Sequence, residues 1–143
     1  MSIELLFHWE KGWTIPHFDI QLWDDLAQAF GVEKIYMIPD VKLGAVTPIE
    51  AYDSLKEFLD KYRGSKKFVF LIPRSEYQDA ISLKDYDHPA DCVYIFGASY
   101  TNLPDYVVAG EDDVVCVDTP VDHQIWQYHV AGMVLYDRII KGL

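Results

Sequence analysis

Three groups of residues in this chain carry side chains suited to chemistry. Asp85, Asp87 and His88 stand together, as do Asp118, Asp122 and His123, and imidazole beside carboxylates is a donor set for divalent metals. Neither group has the spacing that aligns ligands on one helix face, and Asp122 or His123 reads better as the cap of a last helix. No metal site is therefore expected. The third group is aromatic. Trp9 and Trp13 lie in a loop with Gly12 and Pro16, suited to stacking on a flat ligand, whereas Trp23 and Trp126 read as core. His129, on an apolar helical stripe, reads as a core or interface histidine. Gly97 is a lone glycine without the spacing of a P-loop or dinucleotide fingerprint, and no nucleophile or zinc motif is present.

Chemistry at a parallel sheet sits in the loops after its strands, so the stretch from His88 to Pro120 stands out. Two short apolar runs, Cys92–Phe96 and Val114–Val117, read as strands covered on both faces. Gly97 follows the first and Thr119-Pro120 the second, which directs both loops toward one crevice.

The elements that must position these loops follow from pattern. Strands are expected at Ile3–His8, Val32–Pro39 with its core at Lys34–Ile38, and Lys67–Ile72, besides the two above. A first helix carries Leu22, Leu26, Ala29 and Phe30 on one stripe and stops at Gly31. Thr47-Pro48-Ile49-Glu50 has the form of a capping box, predicting a second helix from there to Arg63. A short helix is expected over Ser75–Leu83, a small one near Pro104–Val108, and a last one from Asp122 or His123 to Lys141. That last helix is apolar nearly all round, with Ile125, His129, Gly132, Tyr136 and Ile139 on one stripe and Trp126, Val130, Met133, Val134 and Ile140 beside it. Burial on two sides, and so a homodimer through this helix, is expected. The whole, residues 1–143, reads as one α/β domain: a five-stranded, mainly parallel sheet with helices on both faces.

The balance of 23 acids against 12 bases gives a formal charge of −11, which opposes nonspecific binding to nucleic acid or anionic membranes. Lys61, Arg63, Lys66 and Lys67 form the one dense basic cluster and read as a solvated helix end. No apolar run approaches the roughly 20 residues of a membrane span, and Met1-Ser2-Ile3-Glu4 lacks a basic leader, so a cytoplasmic protein is expected. Cys92 and Cys116 fall in strands and read as buried thiols.

Three segments together resemble the SPOUT superfamily of knotted methyltransferases, and in particular its minimal single-domain RNA ribose methyltransferases. They are Leu26-Ala27-Gln28-Ala29-Phe30-Gly31-Val32 before a strand ending Ile38-Pro39, His88-Pro89-Ala90-Asp91-Cys92-Val93-Tyr94-Ile95-Phe96-Gly97, and Ala131-Gly132-Met133-Val134-Leu135-Tyr136-Asp137. The resemblance spans nearly the whole chain. It implies a C-terminal trefoil knot, a dimer, and S-adenosylmethionine held by Phe96, Gly97, Ala98, Ser99, Leu103, Pro104, Val117, Asp118, Thr119, Pro120 and Ile125. RNA is the acceptor it implies, in tension with the charge. The family's catalytic Asn, Gly and Arg on the first helix fall at Asp19, Gln21 and Asp25. Its Gly-x-Glu falls at Gly97-Ala98-Ser99, and its Leu-Asn at about Ile125-Trp126. An aspartate repels the phosphates that an arginine would clamp. Asp19, Asp25 and His17 are thus the catalytic candidates, with Asp19 or His17 as a base toward a different acceptor. The altered positions also allow a second reading, a catalytically inactive SPOUT-derived dimer for binding or regulation.

Overall fold

A computed structural model describes residues 2–143. In chain order the elements are β1 (Ile3–His8), α1 (Pro16–Phe30), β2 (Lys34–Ile38), β3 (Ile49–Ala51), α2 (Leu55–Tyr62), β4 (Phe68–Leu71), β5 (Ile81–Ser82), β6 (Cys92–Ile95), β7 (Asp113–Cys116) and α3 (Gln127–Ile140). They form a seven-stranded sheet in the order β3-β2-β1-β6-β4-β7-β5, with every pairing parallel. The five expected strands are its middle. The two extra ones are short edge strands of three and two residues, too brief to show a period.

Each central strand is buried on both faces, and each face has its own core. Leu5, Phe7, Ile35, Met37, Tyr94 and Phe96 meet Ile20, Trp23 and Ala27 of α1 and Ala131, Val134 and Leu135 of α3. On the opposite face Leu6, Tyr36, Phe68, Phe70, Val93 and Ile95 meet Leu55, Phe58 and Leu59 of α2. Helices thus cover both faces, as expected. Packing is aromatic as well as aliphatic: the Trp23 indole stacks on Phe7 with centroids 4.6 Å apart. That stack shifts the buried stripe of α1 to Ile20, Trp23, Asp24 and Ala27, leaving Ala29 exposed and Leu22, Leu26 and Phe30 at its flanks. Gly31 ends the helix in the left-handed conformation, φ 68°, with its N–H on the Ala27 carbonyl.

Four helical expectations are corrected. The helix expected at Thr47 begins at Leu55, because Ile49–Ala51 pairs with β2 as a strand. Asp24 of α1 accepts from the backbone N–H groups of Val46 (3.2 Å) and Thr47 (2.9 Å), so the chain is pinned extended there. The cap is instead Ser54, whose Oγ accepts from Glu57 N at 3.2 Å. Residues 75–83 hold a turn and β5 rather than a helix, and a 3-10 turn, Leu103–Tyr106, stands where the small helix was expected. Residues 119–126 are irregular. The last helix starts at Gln127, so neither Asp122 nor His123 caps it.

Helix α3 runs back across the sheet from the C-terminal end of β1 to the start of β6. Its buried Arg138 donates to the carbonyls of Pro89 (2.6 Å) and Ala90 (2.8 Å) and to the Tyr94 hydroxyl (3.0 Å). His88 contacts the same Tyr94 hydroxyl and Asp137, each at 2.7 Å. Those partners occupy both ring nitrogens of His88 and fasten the helix. The outer side of α3 is uncovered: Trp126, Met133, Tyr136 and Ile140 are 42–67% exposed, and His129 is exposed with them. Within one chain α3 is therefore buried on one side, and Trp126 and His129 are not core residues.

Candidate functional site

The C-terminal ends of β6, β4 and β7, adjacent in the sheet, open into a cavity of about 730 Å³. Strands in a parallel sheet all release their loops at this edge, which makes it the ligand edge. Leu71, Ile72, Phe96, Val115 and Leu103 form an apolar floor. Pro73–Glu76, Gly97–Ser99 with Thr101, and Val117–Pro120 followed by Asp122–Ile125 form the walls, which Gln127 and Val130 of α3 complete. Ten of the eleven cofactor candidates lie here together; Pro104 does not line the cavity.

The loop after β6 is shaped by Gly97. A Cβ there would run into Thr101 Oγ1 and the Leu103 side chain, and Thr101 is held because both its N–H and its hydroxyl donate to the Ala98 carbonyl (3.1 and 2.7 Å). The glycine is thus required by close approach. Across the cavity, Arg74 fixes the loops after β4 and β7. It donates to the Ala80 carbonyl (2.7 Å), Ser82 Oγ (3.0 Å), Cys116 Sγ (3.0 Å) and Asp118 (3.3 Å). Bonds from Ser82 and Arg74 hold the Asp118 carboxyl below the usual carboxylate range. Burial, then the charge of Asp118, pushes the Cys116 thiol up, which leaves it a neutral packing group.

A buried polar cluster abuts this cavity. Gln127 accepts from His8 N (3.2 Å) and donates to His8 O (2.5 Å) and Glu10 Oε1 (3.1 Å). His8 Nδ1 donates to the Phe96 carbonyl at 2.8 Å, and burial pushes its pKa down to about 4, so the ring is neutral. Glu10 is 6% exposed, and its Oε2 has no partner. Its N–H donates to Asp19 at 3.4 Å. Burial raises the Glu10 carboxyl and the charge of Asp19 adds to this, while Gln127 and the backbone N–H of Ser99 pull it back. Burial raises Asp19 as well.

Of the catalytic candidates, Asp19 alone joins this cluster. His17 and Asp25 lie on the exposed side of α1, because the helix turns its Ile20–Trp23–Ala27 stripe inward. Trp9 and Trp13 do not form a free pair. The Trp9 indole donates to the Thr14 carbonyl at 3.1 Å, and exposed Trp13 packs edge-on against Trp126 at 5.3 Å. Among the described residues, no cluster of three or more His, Cys, Asp or Glu side chains is arranged to hold a metal ion. No helix of those residues is long and apolar enough to cross a membrane.

No protein-family model and no curated protein matches this sequence. Solved structures do match. An AdoMet-bound rRNA methyltransferase from Sinorhizobium meliloti superposes with a TM-score of 0.74 at 11% identity, covering 99% of this chain and 57% of that one. The A. aeolicus TrmH/SpoU tRNA modifying enzyme gives 0.73 at 13% identity, over 99% and 77%. A structure concerned with 2-OH methylation on tRNA gives 0.69 at 15% identity, over 98% and 90%. The chain shares the parallel-sheet α/β fold of these structures. At these identities the likeness is one of architecture, and it agrees with the fold that the three sequence segments imply.

In this fold the sheet has seven strands rather than the expected five. Glu10 and Gln127 escaped sequence reading altogether. They are 117 positions apart, and neither belongs to a motif. One local signal existed: Gln127 stands at the foot of an apolar helix, where a polar side chain facing inward needs a partner.

Proposed function

We propose that this chain is a methyltransferase that moves a methyl group from S-adenosylmethionine to RNA. The observation that carries the reading is the cavity of about 730 Å³ at the ends of β6, β4 and β7, in a fold shared with an AdoMet-bound rRNA methyltransferase. The residues present suit such a cofactor. Its flat base fits the apolar floor of Phe96, Leu103 and Val115, and its polar groups meet loop backbone at Gly97–Ser99 and Val117–Pro120. Glycine at position 97 keeps the first loop close enough for that contact. When bound, the cofactor supplies an electrophilic methyl on a sulfonium. The chain's own part is to shelter that group and to orient the acceptor beside it.

A trefoil knot formed by the C-terminal segment belongs to the same reading, supported by the fold likeness and by the return of α3 from β7 across β1. So does a homodimer through α3, whose outward stripe of Trp126, His129, Met133, Tyr136 and Ile140 is solvent-exposed in one chain. A cytoplasmic setting suits the two buried free thiols, Cys92 and Cys116.

The test is transfer. Incubated with methyl-labelled S-adenosylmethionine and total RNA, the protein is expected to label RNA, and digestion of the product to nucleosides identifies the atom modified. Label entering a protein extract but not RNA would replace the acceptor, and label entering neither would overturn the reading.

A further inference from the structure

Glu10 does not line this cavity but bonds Gln127, which does. We infer that Glu10 is a positioning residue: from the loop after β1, its carboxylate holds Gln127 at the start of α3 and so fixes one wall of the cofactor cavity. The inference rests on the reading of that cavity as the cofactor site.

Gln127, the first residue of α3, lines the cavity, and its amide is held on three sides, by His8 N, His8 O and Glu10 Oε1. The two His8 bonds fix the amide plane, and the Glu10 bond takes up the remaining N–H. This first turn has no side-chain cap, so the Gln127 side chain is what orients it. Ser99 of the loop after β6 also lines the cavity. Next to it, the Tyr100 hydroxyl donates to the carbonyl of Trp9. The dipeptide Trp9-Glu10 thereby grips both the β6 loop and the α3 terminus. The loop after β6 brings no carboxylate of its own, being Gly97-Ala98-Ser99.

The choice of an acid here is otherwise unfavourable. Glu10 is buried, its Oε2 is unpartnered, and Asp19 of α1 stands beside it. His8 is neutral and Tyr100 is an uncharged donor, so no cation in the cluster offsets the two acids. Lys11 is turned over the Tyr100 ring instead, at 5.3 Å.

The test compares Glu10→Ala and Glu10→Gln with the wild-type chain. Calorimetric titration with S-adenosylmethionine is expected to show at least about tenfold weaker binding in Glu10→Ala, the loss of one well-placed anchor. Glu10→Gln should stay within about threefold, because its amide oxygen accepts from Gln127 while its NH2 faces Asp19. Hydrogen exchange without ligand is the independent arm. The amides of residues 127–131 should exchange faster in Glu10→Ala and at wild-type rates in Glu10→Gln. Should Glu10→Ala fail to fold, Gln127→Ala takes its place with the same expectation. Equal affinity and equal exchange in all three proteins would overturn the inference, as would losses in Glu10→Gln as large as those in Glu10→Ala. If the wild-type chain binds no S-adenosylmethionine, the cofactor reading fails, and exchange alone decides the role of Glu10.

Discussion

Asp24 and Glu10 are both buried carboxylates, and their partners send them in opposite directions. Burial pushes Asp24 up, but bonds from Thr47 and Val46 outweigh it and hold the group below its ordinary 3.8. A depressed folded-state value contributes stability above the ordinary value, lost as pH falls through the folded one. Asp24→Ala should therefore cost about 1–3 kcal/mol at pH 7, by orphaning two N–H groups, and less near pH 3; denaturant midpoints at both pH values check this. Glu10 is raised above its ordinary 4.5 by burial and then, net of its hydrogen bonds, by Asp19. The sign reverses: its contribution is full below the ordinary value and is lost as pH rises through the folded one. Glu10→Gln should raise the thermal midpoint at pH 7 by a few °C, on the order of 1 kcal/mol, with the gain vanishing near pH 4. An equal gain at both pH values would contradict it. The cavity residues were legible because backbone-shaping Gly97, Thr119 and Pro120 follow apolar runs. Asp25 and His17 lie on the exposed side of α1 because the Trp23–Phe7 stack sets which side of the helix faces inward. Strand-to-helix pairs such as Glu10–Gln127 leave no trace in local spacing.

At the scale of elements, two Ser/Thr-x-x-Glu boxes compete in residues 47–57, and the one without proline wins. Thr47-Pro48-Ile49-Glu50 is drawn into the sheet, where Ile35 N donates to the Pro48 carbonyl at 2.9 Å, while Ser54 caps α2. Ser54→Ala should cost about 1 kcal/mol through α2, whereas removing only the hydroxyl of Thr47 should leave α2 intact. Helical circular dichroism and denaturant midpoints of Ser54→Ala and Thr47→Val separate the two. Sequence reading could not rank the boxes, since pairing of Ile49–Ala51 with β2 is a long-range effect. It did read α3 as apolar on two sides, and the outward stripe through Met133 and Tyr136 is the physical basis of the dimer proposed. Met133→Glu with Tyr136→Glu should turn a dimer into a monomer in sedimentation at micromolar concentration; an unchanged sedimentation coefficient would place the contact elsewhere.

For the whole molecule, the charge of −11 is matched by the arrangement of its cations. Among the described residues, Lys34, Lys42, Lys56, Lys61, Arg63, Lys66, Lys67, Arg74 and Lys141 each lie within 3.8 Å of a carboxylate. The Lys61–Lys67 cluster is included, paired with Glu50, Asp112, Glu4 and Asp113. Few cations are left to displace phosphate counterions, so RNA affinity should depend weakly on salt, with a log–log slope of about −1 to −2 rather than −6 or steeper. Filter binding across a salt series measures it. The layered α/β class and the middle strands were legible from apolar runs and their stops. The strand order and the fold shared with the solved structures were not, because periodicity carries no information on which strands pair; resemblance of three segments supplied that expectation. Whether the crevice beside Gly97 holds S-adenosylmethionine is tested most directly by one calorimetric titration. Saturable binding at one cofactor per chain in the micromolar range, weakened at least about tenfold by Gly97→Val, is the predicted result. No heat of binding at millimolar cofactor, or equal affinity in Gly97→Val, would contradict it.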